Sequence, residues 1–300
     1  MAIKIPRKLR QAFFQYIWSF LPRHFAPSDV PLSVLIPLAV KDIEQAGLAL
    51  QSIRTCLSHP IEHIYIVGQN DDRIRAFCTQ NAVIYLNEED ILPESIINLT
   101  YEVGGKSQNG WIRQQIIKLT AFAFINAETI LVHDADTVLI RPISFLDKNH
   151  RQLLFTSDEY LASYHRMTEK LIGPTRRYPR SFIAHGMLFQ RDVMDDLHRF
   201  IRSQGRMEVH EAVIAYLDQS KGLALSEYEL YGNYLYNHHK ARIYLRYWYN
   251  YQITRPTAMD LTSLQRKFGR FNSVSRHIRP NHVKKPRLMR RLLALLNPAP

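Results

Sequence analysis

Two carboxylates at alternate positions, Asp134 and Asp136 in the run His133-Asp134-Ala135-Asp136, follow directly on Thr129 to Val132, a stretch with the composition of a buried strand. Carboxylates are costly to bury unless a positive charge sits between them, and residues i and i+2 of an extended segment share a face. The pair is spaced to grip one divalent cation, and oxygen donors suit Mg2+ or Mn2+, the ions that escort diphosphates. The competing reading is a strand end whose two Asp side chains are solvated in a turn. His133 fits either case, as a support for the carboxylates or as a plain strand-end residue.

Three other stretches carry groups that could do chemistry. Gly110 to Ile125 reads as a helix in which Trp111, Gln114, Gln115 and Lys118 fall at i, i+3, i+4 and i+7. That mixed polar stripe runs into the acidic strand, and it is either the border of a nucleotide pocket or a solvated face. Ser181 to Gln190 is an apolar strand interrupted by His185-Gly186, and a glycine inside a strand marks a bulge or a close approach. In Leu223 to Leu235, a short strand ends at Ser226, and Ser226 with Glu229 matches a capping box. Glu227 is not needed for the cap and stands at a helix N-terminus, where a carboxylate stays ionised and can accept a proton. Glu229 is either the cap partner or a second candidate for that role. Tyr228, Tyr231 and Tyr234 make an aromatic face suited to sugar stacking or to plain packing. Gly104-Gly105-Lys106-Ser107 lacks the G-x-x-x-x-G-K spacing and reads as a loop, not a phosphate cradle.

The elements that must position these groups alternate. Leu32 to Leu38, His63 to Val67 and Ala82 to Leu86 read as strands, with helices over Asp42 to Leu57 and Arg73 to Gln80 between them. That order predicts an α/β fold with a mainly parallel sheet flanked by helices. Ligands of such sheets bind beyond the carboxyl ends of the strands, where the acidic run lies. No G-x-G-x-x-G follows the first strand, so a dinucleotide fold has no support. Leu153 to Thr156 is a further strand, Tyr164 to Arg180 reads as a loop or lid, Arg191 to Gln204 as a helix, and Tyr244 to Tyr251 as an aromatic-rich strand.

The 300 residues, 46% of them hydrophobic and 11% aromatic, can build a sizeable core. Thirty-nine Lys and Arg against 27 Asp and Glu give a net charge of +12, which points to an anionic partner. Neither a zinc-finger spacing nor an RNA-binding aromatic signature accompanies the charge, so nucleic acid is the weaker choice. Two cysteines, Cys56 and Cys78, make no disulfide framework and fit a reducing compartment. No run of ~18 apolar residues spans a membrane. Ile5 to Phe25 and Leu288 to Leu296 are amphipathic with basic edges, and they read either as surface anchors at an anionic membrane or as a docked helix and a basic tail. The expected division is an amphipathic segment over 1–30, a catalytic domain over 31–255 and a basic, partly helical tail over 256–300. A cytoplasmic protein, peripheral at the inner face of the membrane, is the matching location.

The segments GWIRQQIIKL, HDADTVLIRP, HGMLFQRDVM and SEYELYGNYL, taken together, resemble GT-A-fold glycosyltransferases. LVHDADTVLIRP is similar to the Y-L-D-A-D-T-L-V-L-x-x-P segment of glycogenin-like transferases, and the set resembles a bacterial group of polysaccharide glycosyltransferases over roughly residues 32–255. The resemblance implies that Asp134 and Asp136 bind Mn2+ or Mg2+ on a nucleotide-sugar diphosphate. It implies that residues near Ala39 to Asp42 meet the base and ribose, and that His185 and Gly186 face the donor sugar or the acceptor. Glycogenin-like members carry a late H-x-x-G-x-K-P motif, whereas this chain has His282-Val283-Lys284-Lys285-Pro286, leaving His277 and His282 as candidates for a third metal ligand. The inverting branch places a catalytic carboxylate about where Glu227 and Glu229 stand.

The expectation is a metal-dependent glycosyltransferase that moves a sugar from a UDP- or GDP-linked donor to a glycan or lipid-linked acceptor, in bacterial surface polysaccharide synthesis. A nucleotidyltransferase or phosphotransferase would pair the same two Asp residues with a metal, but calls for three carboxylates and two ions. A non-catalytic membrane-surface protein is the third reading.

Overall fold

The computed structural model describes residues 26–174, 180–253 and 259–276. In chain order the elements are β1 (Leu32–Leu38), α1 (Ile43–Cys56), β2 (Ile61–Gly68), α2 (Asp72–Gln80), β3 (Ile84–Asn87), the one-turn α3 (Glu88–Ile91) and α4 (Glu94–Ile97), β4 (Glu102–Val103), β5 (Lys106–Ser107) and α5 (Asn109–Leu119). They continue with β6 (Thr129–His133), β7 (Thr137–Leu139), β8 (Gln152–Thr156), α6 (Ala162–Ile172), β9 (Gly186–Gln190), α7 (Arg191–Gly205), α8 (Val209–Tyr216), α9 (Glu227–His238), β10 (Ile243–Tyr247), β11 (Asn250–Gln252), α10 (Leu261–Phe268) and β12 (Ser273–Ser275).

β1 is buried along its whole length and apolar but for Ser33, because both of its faces are covered. Leu35 points into a core with Ile112 and Ile116 of α5, while Val34 and Ile36 point into the opposite core with Ala46, Leu50 and Ile53 of α1. β6 divides in the same way, Ile130 and Val132 to one side and Leu131 to the other. The central sheet runs β3-β2-β1-β6-β9, parallel through β6 and closed by an antiparallel β9. The α/β fold with a mainly parallel, helix-flanked sheet therefore holds. β1 and β6 are parallel neighbours with Leu35 opposite Val132, so Ala39 and Asp134 leave the sheet at the same edge.

Two readings of the sequence need correction, and two stretches hold elements it did not predict. Tyr164 to Arg180 is no lid in its first part: α6 buries Tyr164, Met167, Leu171 and Ile172 in the main core. Arg166, Glu169 and Lys170 are exposed on the other side of the helix, while His165 and Thr168 are buried among the apolar residues, and this mixture hid its period. No strand forms over residues 223–226; the chain there only leads into the α9 cap. Helix α8 was not anticipated. Ordered elements also continue past residue 255, since β12 pairs with β7 and with β11, and Leu261, Leu264 and Phe268 of α10 pack around Val138. The amphipathic N-terminal segment and most of the basic tail, with His277 and His282, lie outside the described residues. Among those described, no helix is long and apolar enough to cross a membrane.

Gly104 and Gly105 take positive φ values of 59° and 71° at the turn of the β4–β5 hairpin, a turn and not a phosphate cradle. Gly232 serves packing: a Cβ there would lie 2.6 Å from the side chain of Phe182. Helix α9 thus rides directly on the segment that leads into β9.

Candidate active site

The centre of the site is Lys118, at the end of α5. Its side chain is only 4% exposed, and its Nζ lies 2.6 Å from Asp134 Oδ1 and 2.6 Å from Glu227 Oε1. Three elements make this clamp: α5 supplies the ammonium, the end of β6 supplies Asp134, and the first turn of α9 supplies Glu227. Tyr228, the next residue of α9, donates its hydroxyl to Asp134 Oδ1 at 3.0 Å, and the Lys118 ammonium stands 4.6 Å from the centre of its ring. Gln115, one turn before Lys118, accepts the backbone N–H of Glu227 at 3.1 Å and so fixes where α9 begins. A buried ammonium between two carboxylates is retained only when each partner is present.

The other oxygen of Asp134 faces His185. Nδ1 of His185 lies 3.1 Å from Asp134 Oδ2, and its Nε2 lies 3.4 Å from Oε2 of Glu159, in the segment after β8. The His185 backbone sits in the left-handed region at φ 57°, and its carbonyl accepts the Asp134 N–H at 3.0 Å. Non-glycine residues are uncommon there, and this one is held from both sides. Gly186 follows because a Cβ at that position would come within 3.1 Å of the His133 ring. His133 itself is fully buried, and neither ring nitrogen finds a hydrogen-bond partner among the described residues.

Charge follows geometry. Burial opposes the ionised form of Asp134, but Lys118 and His185 outweigh it and hold the carboxyl well below its usual range. Burial likewise opposes a charged His185, and the hydrogen bonds to Asp134 and Glu159 win, raising it to about 10. Lys118 is raised against its burial by Asp134 and Glu227. Burial raises Glu227, with Lys118 working the other way. Burial lowers His133 to about 4, so its ring is neutral. At neutral pH, Asp134 is an anion held between two cations.

The predicted site residues separate into those gathered here and those that are not. Asp134, Lys118, Glu227, His185, Gly186 and Gln115 come together. Trp111, on the same stripe of α5, stacks on Tyr164 with ring centres 6.0 Å apart, and Gln114 is half-buried beside it. Ala39 and Asp42 are half-buried at the carboxyl edge of β1, the edge from which Asp134 emerges. Asp136 is half-buried, and its carbonyl accepts the backbone N–H of Arg276, the residue that follows β12. Two assignments are overturned by burial. Tyr231 is fully buried and offers no sugar a face, because its hydroxyl is spent on the Gln190 N–H and on Gln152. Glu229 is also fully buried: it accepts from the Ser181 hydroxyl, from the Phe182 N–H at 3.2 Å and from the Asn233 amide, so it fastens the approach to β9 instead of meeting an acceptor. Only half of the capping box forms, with Ser226 Oγ accepting the Glu229 N–H. Glu159 and Tyr228 were not singled out as polar site residues. The acidic turn after β8 signalled the first, whereas the hydroxyl of the second was hidden within an aromatic stripe.

Whether the residues present suit a metal depends on the donor set. Among the described residues, no group of three His, Cys, Asp or Glu gathers to hold an ion. Asp134 and Asp136 supply carboxylate oxygens, the donor type of an ion of the Mg2+ or Mn2+ kind whose remaining positions are filled by substrate phosphates and water. Such an ion would share Asp134 with Lys118, Tyr228 and His185, which already engage both of its oxygens.

The site is therefore a network of paired charges, two cations against three carboxylates, at the carboxyl edge of an α/β sheet. The chain belongs to a family of unknown function, DUF6492, whose profile matches residues 30–268. No curated protein matches it. Among solved structures it is similar to an active-site mutant of LgtC, at 13% identity over 81% of this chain and 86% of that one, with a TM-score of 0.46. It is also similar to the apo form of mouse xyloside xylosyltransferase 1, at 11% identity over 82% and 98% with a TM-score of 0.44. A galactosyltransferase LgtC complex with donor and acceptor sugar analogs follows, at 12% over 81% and 86% with a TM-score of 0.41.

Two outcomes follow from the charge arrangement. Lys118→Met leaves the buried Glu227 without its cation and Asp134 with His185 alone, and is expected to cost ~3–5 kcal/mol in urea unfolding; Glu227→Gln added to it should restore part of the loss. His185 is raised in the folded state from an ordinary value of 6.5 to about 10, so its stabilisation is fully present below 6.5 and lost as pH rises through about 10. The stability difference between wild type and His185→Asn, from unfolding curves at several pH values, should accordingly shrink over that window.

Proposed function

We propose that this protein is a glycosyltransferase that takes a sugar from a nucleotide-sugar donor, UDP- or GDP-linked, and transfers it to a glycan or lipid-linked acceptor in surface polysaccharide synthesis. The observation that carries the reading is the Lys118 clamp: a desolvated ammonium held between the first carboxylate of the Asp-x-Asp pair and a carboxylate from another element. A departing diphosphate develops negative charge, and preorganised positive charge in a water-poor site stabilises it. Lys118 and His185 supply that charge from the protein. Glu227 acts in this reading as a positioning residue that aims Lys118, since its side chain is 2% exposed and its Oε1 is engaged by the ammonium. Ala39 and Asp42 line the edge where the base and ribose would lie, with Trp111, Gln114 and Gln115 on the flanking helix.

Asp134 and Asp136 would hold Mn2+ or Mg2+, with His277 and His282, outside the described residues, the candidates for a further ligand. When bound, the ion would neutralise diphosphate oxygens as a Lewis acid. With only two carboxylates, ion binding should depend strongly on the nucleotide.

Titration calorimetry with UDP- and GDP-sugars, with and without Mn2+, tests this. The expected result is donor binding that Mn2+ strengthens by at least ~10-fold, a gain that Asp134→Ala and Asp136→Ala abolish. Failure of every nucleotide sugar to bind with or without metal would sink the reading. The net charge of +12 further supports association with anionic lipid at the inner face of a membrane. Sedimentation with anionic vesicles should occur at low salt and fall away as salt is raised; no sedimentation at low salt would remove the membrane from the proposal.

A further inference from the structure

A cavity of about 120 Å3 lies between α6, the end of α8 and the segment 217–224 that leads into α9. A single water needs ~10–15 Å3 of such space, so the cavity takes a group of several non-hydrogen atoms. Four of its lining residues, Ser163, Arg166, Met167 and Lys170, fall at i, i+3, i+4 and i+7 of α6 and form one stripe. Met167 and Ala224 are buried and give an apolar floor, whereas Arg166, Lys170 and Asp218 are exposed and stand at the mouth. The walls are tied in place. The Ser163 hydroxyl donates to the Leu223 carbonyl at 2.9 Å, and the Tyr101 hydroxyl donates to the Lys221 carbonyl. No lining residue belongs to the network around Lys118.

The charges at the mouth do not balance. Arg166 and Lys170 are like charges one turn apart, an arrangement that disfavours the helix unless an anion lies between them. Among the described residues the Arg166 guanidinium has no hydrogen-bonding or ion-pair partner. Lys170 donates one of its three N–H groups to the carbonyl of Tyr216, the last residue of α8, at 3.1 Å. It pairs with no carboxylate among the described residues. Asp218 is the carboxylate at the mouth, and its Oδ1 accepts the Ser220 N–H at 3.1 Å and the Ser220 hydroxyl at 2.6 Å. Those bonds, with Lys221 and Lys170 nearby, hold the Asp218 carboxyl below its usual range, so it is an acceptor at neutral pH.

We propose that this cavity binds a small phosphate monoester of a sugar or polyol, its phosphoryl group held by Arg166 and Lys170 and one hydroxyl donated to Asp218. The proposal does not depend on the glycosyl-transfer reading. A phosphate monoester is largely dianionic at neutral pH, which matches the two cations of α6. A guanidinium presents a planar fork to two phosphoryl oxygens, and an ammonium with N–H groups to spare meets a third. An anion without a hydroxyl would meet Asp218 with repulsion alone. A hydroxylated monoester instead uses that carboxylate as a hydrogen-bond acceptor, while its carbon skeleton covers Met167 and Ala224.

Titration calorimetry of the full chain with glucose 6-phosphate and glycerol 3-phosphate tests the site, with methyl phosphate and glucose as controls. At least one of the two hydroxylated monoesters should bind with a Kd below ~1 mM, more tightly than methyl phosphate, and glucose should not bind. Arg166→Gln and Lys170→Gln should each weaken that binding by ~10-fold or more. Asp218→Asn should remove the advantage over methyl phosphate, because the amide keeps one acceptor for Ser220 and loses the other. Arg166 is exposed, so Arg166→Gln should unfold at the wild-type temperature, which separates lost binding from lost fold. No monoester binding in wild type, or monoester binding that survives both Arg166→Gln and Lys170→Gln, overturns the proposal. Methyl phosphate bound as tightly as the hydroxylated monoesters also overturns it.

Discussion

A single ammonium group organises one end of this molecule. Lys118 has lost its water, and what replaces that hydration is two carboxylate oxygens at 2.6 Å, one from the end of a central strand and one from the start of a helix. Asp134 is kept ionised there by it together with His185, and the ammonium could not be buried without its carboxylate partners. The clamp therefore constrains the backbone as well as the charge. α5 must end where β6 ends, and α9 must begin beside both. Gln115 enforces the second condition by accepting the Glu227 N–H.

Around the clamp the protein spends strain and tight packing on one more residue, His185. A left-handed backbone at φ 57° lets its carbonyl meet the Asp134 N–H while its ring meets the Asp134 carboxylate. Gly186 and the buried, neutral His133 make room for that turn. Glu229 holds the preceding segment through Ser181 and Phe182, so a residue that resembles a catalytic carboxylate in the sequence contributes as a fastening. The resulting centre holds two cations, Lys118 and His185, at fixed positions, each matched by two carboxylates.

Much of this was legible in the amino-acid order, for reasons that differ between elements. Strands buried on both faces read as continuous apolar runs, so β1 and β6 were plain, as was the acidic turn at the end of β6. Lys118 fell on a helical stripe with Trp111 and Gln115, which gave its direction but not its partner, since a contact across 109 residues leaves no local trace. α6 was missed because its buried residues are interleaved with basic ones, and the elements beyond residue 255 were missed because a positive tail dominates the composition there. Tyr231 and Glu229 were misassigned for a common cause: the first turns of α9 are buried on every side, and periodicity alone cannot tell a core aromatic from an exposed one.

The long reach of the clamp has a meaning for how the chain folds. Lys118 and Asp134 are 16 residues apart, but Lys118 and Glu227 are 109 apart, and the segment between them contains α6, β9, α7 and α8. Closing so long a loop carries an entropic cost that is met only once those intervening elements have packed. A chain folded as far as β6 would hold its lysine and aspartate as a solvated pair, without the desolvation that gives them their charge states. The chemical character of the site is thus a property of the completed fold, acquired when α9 docks, and a nascent or partly opened molecule would not possess it.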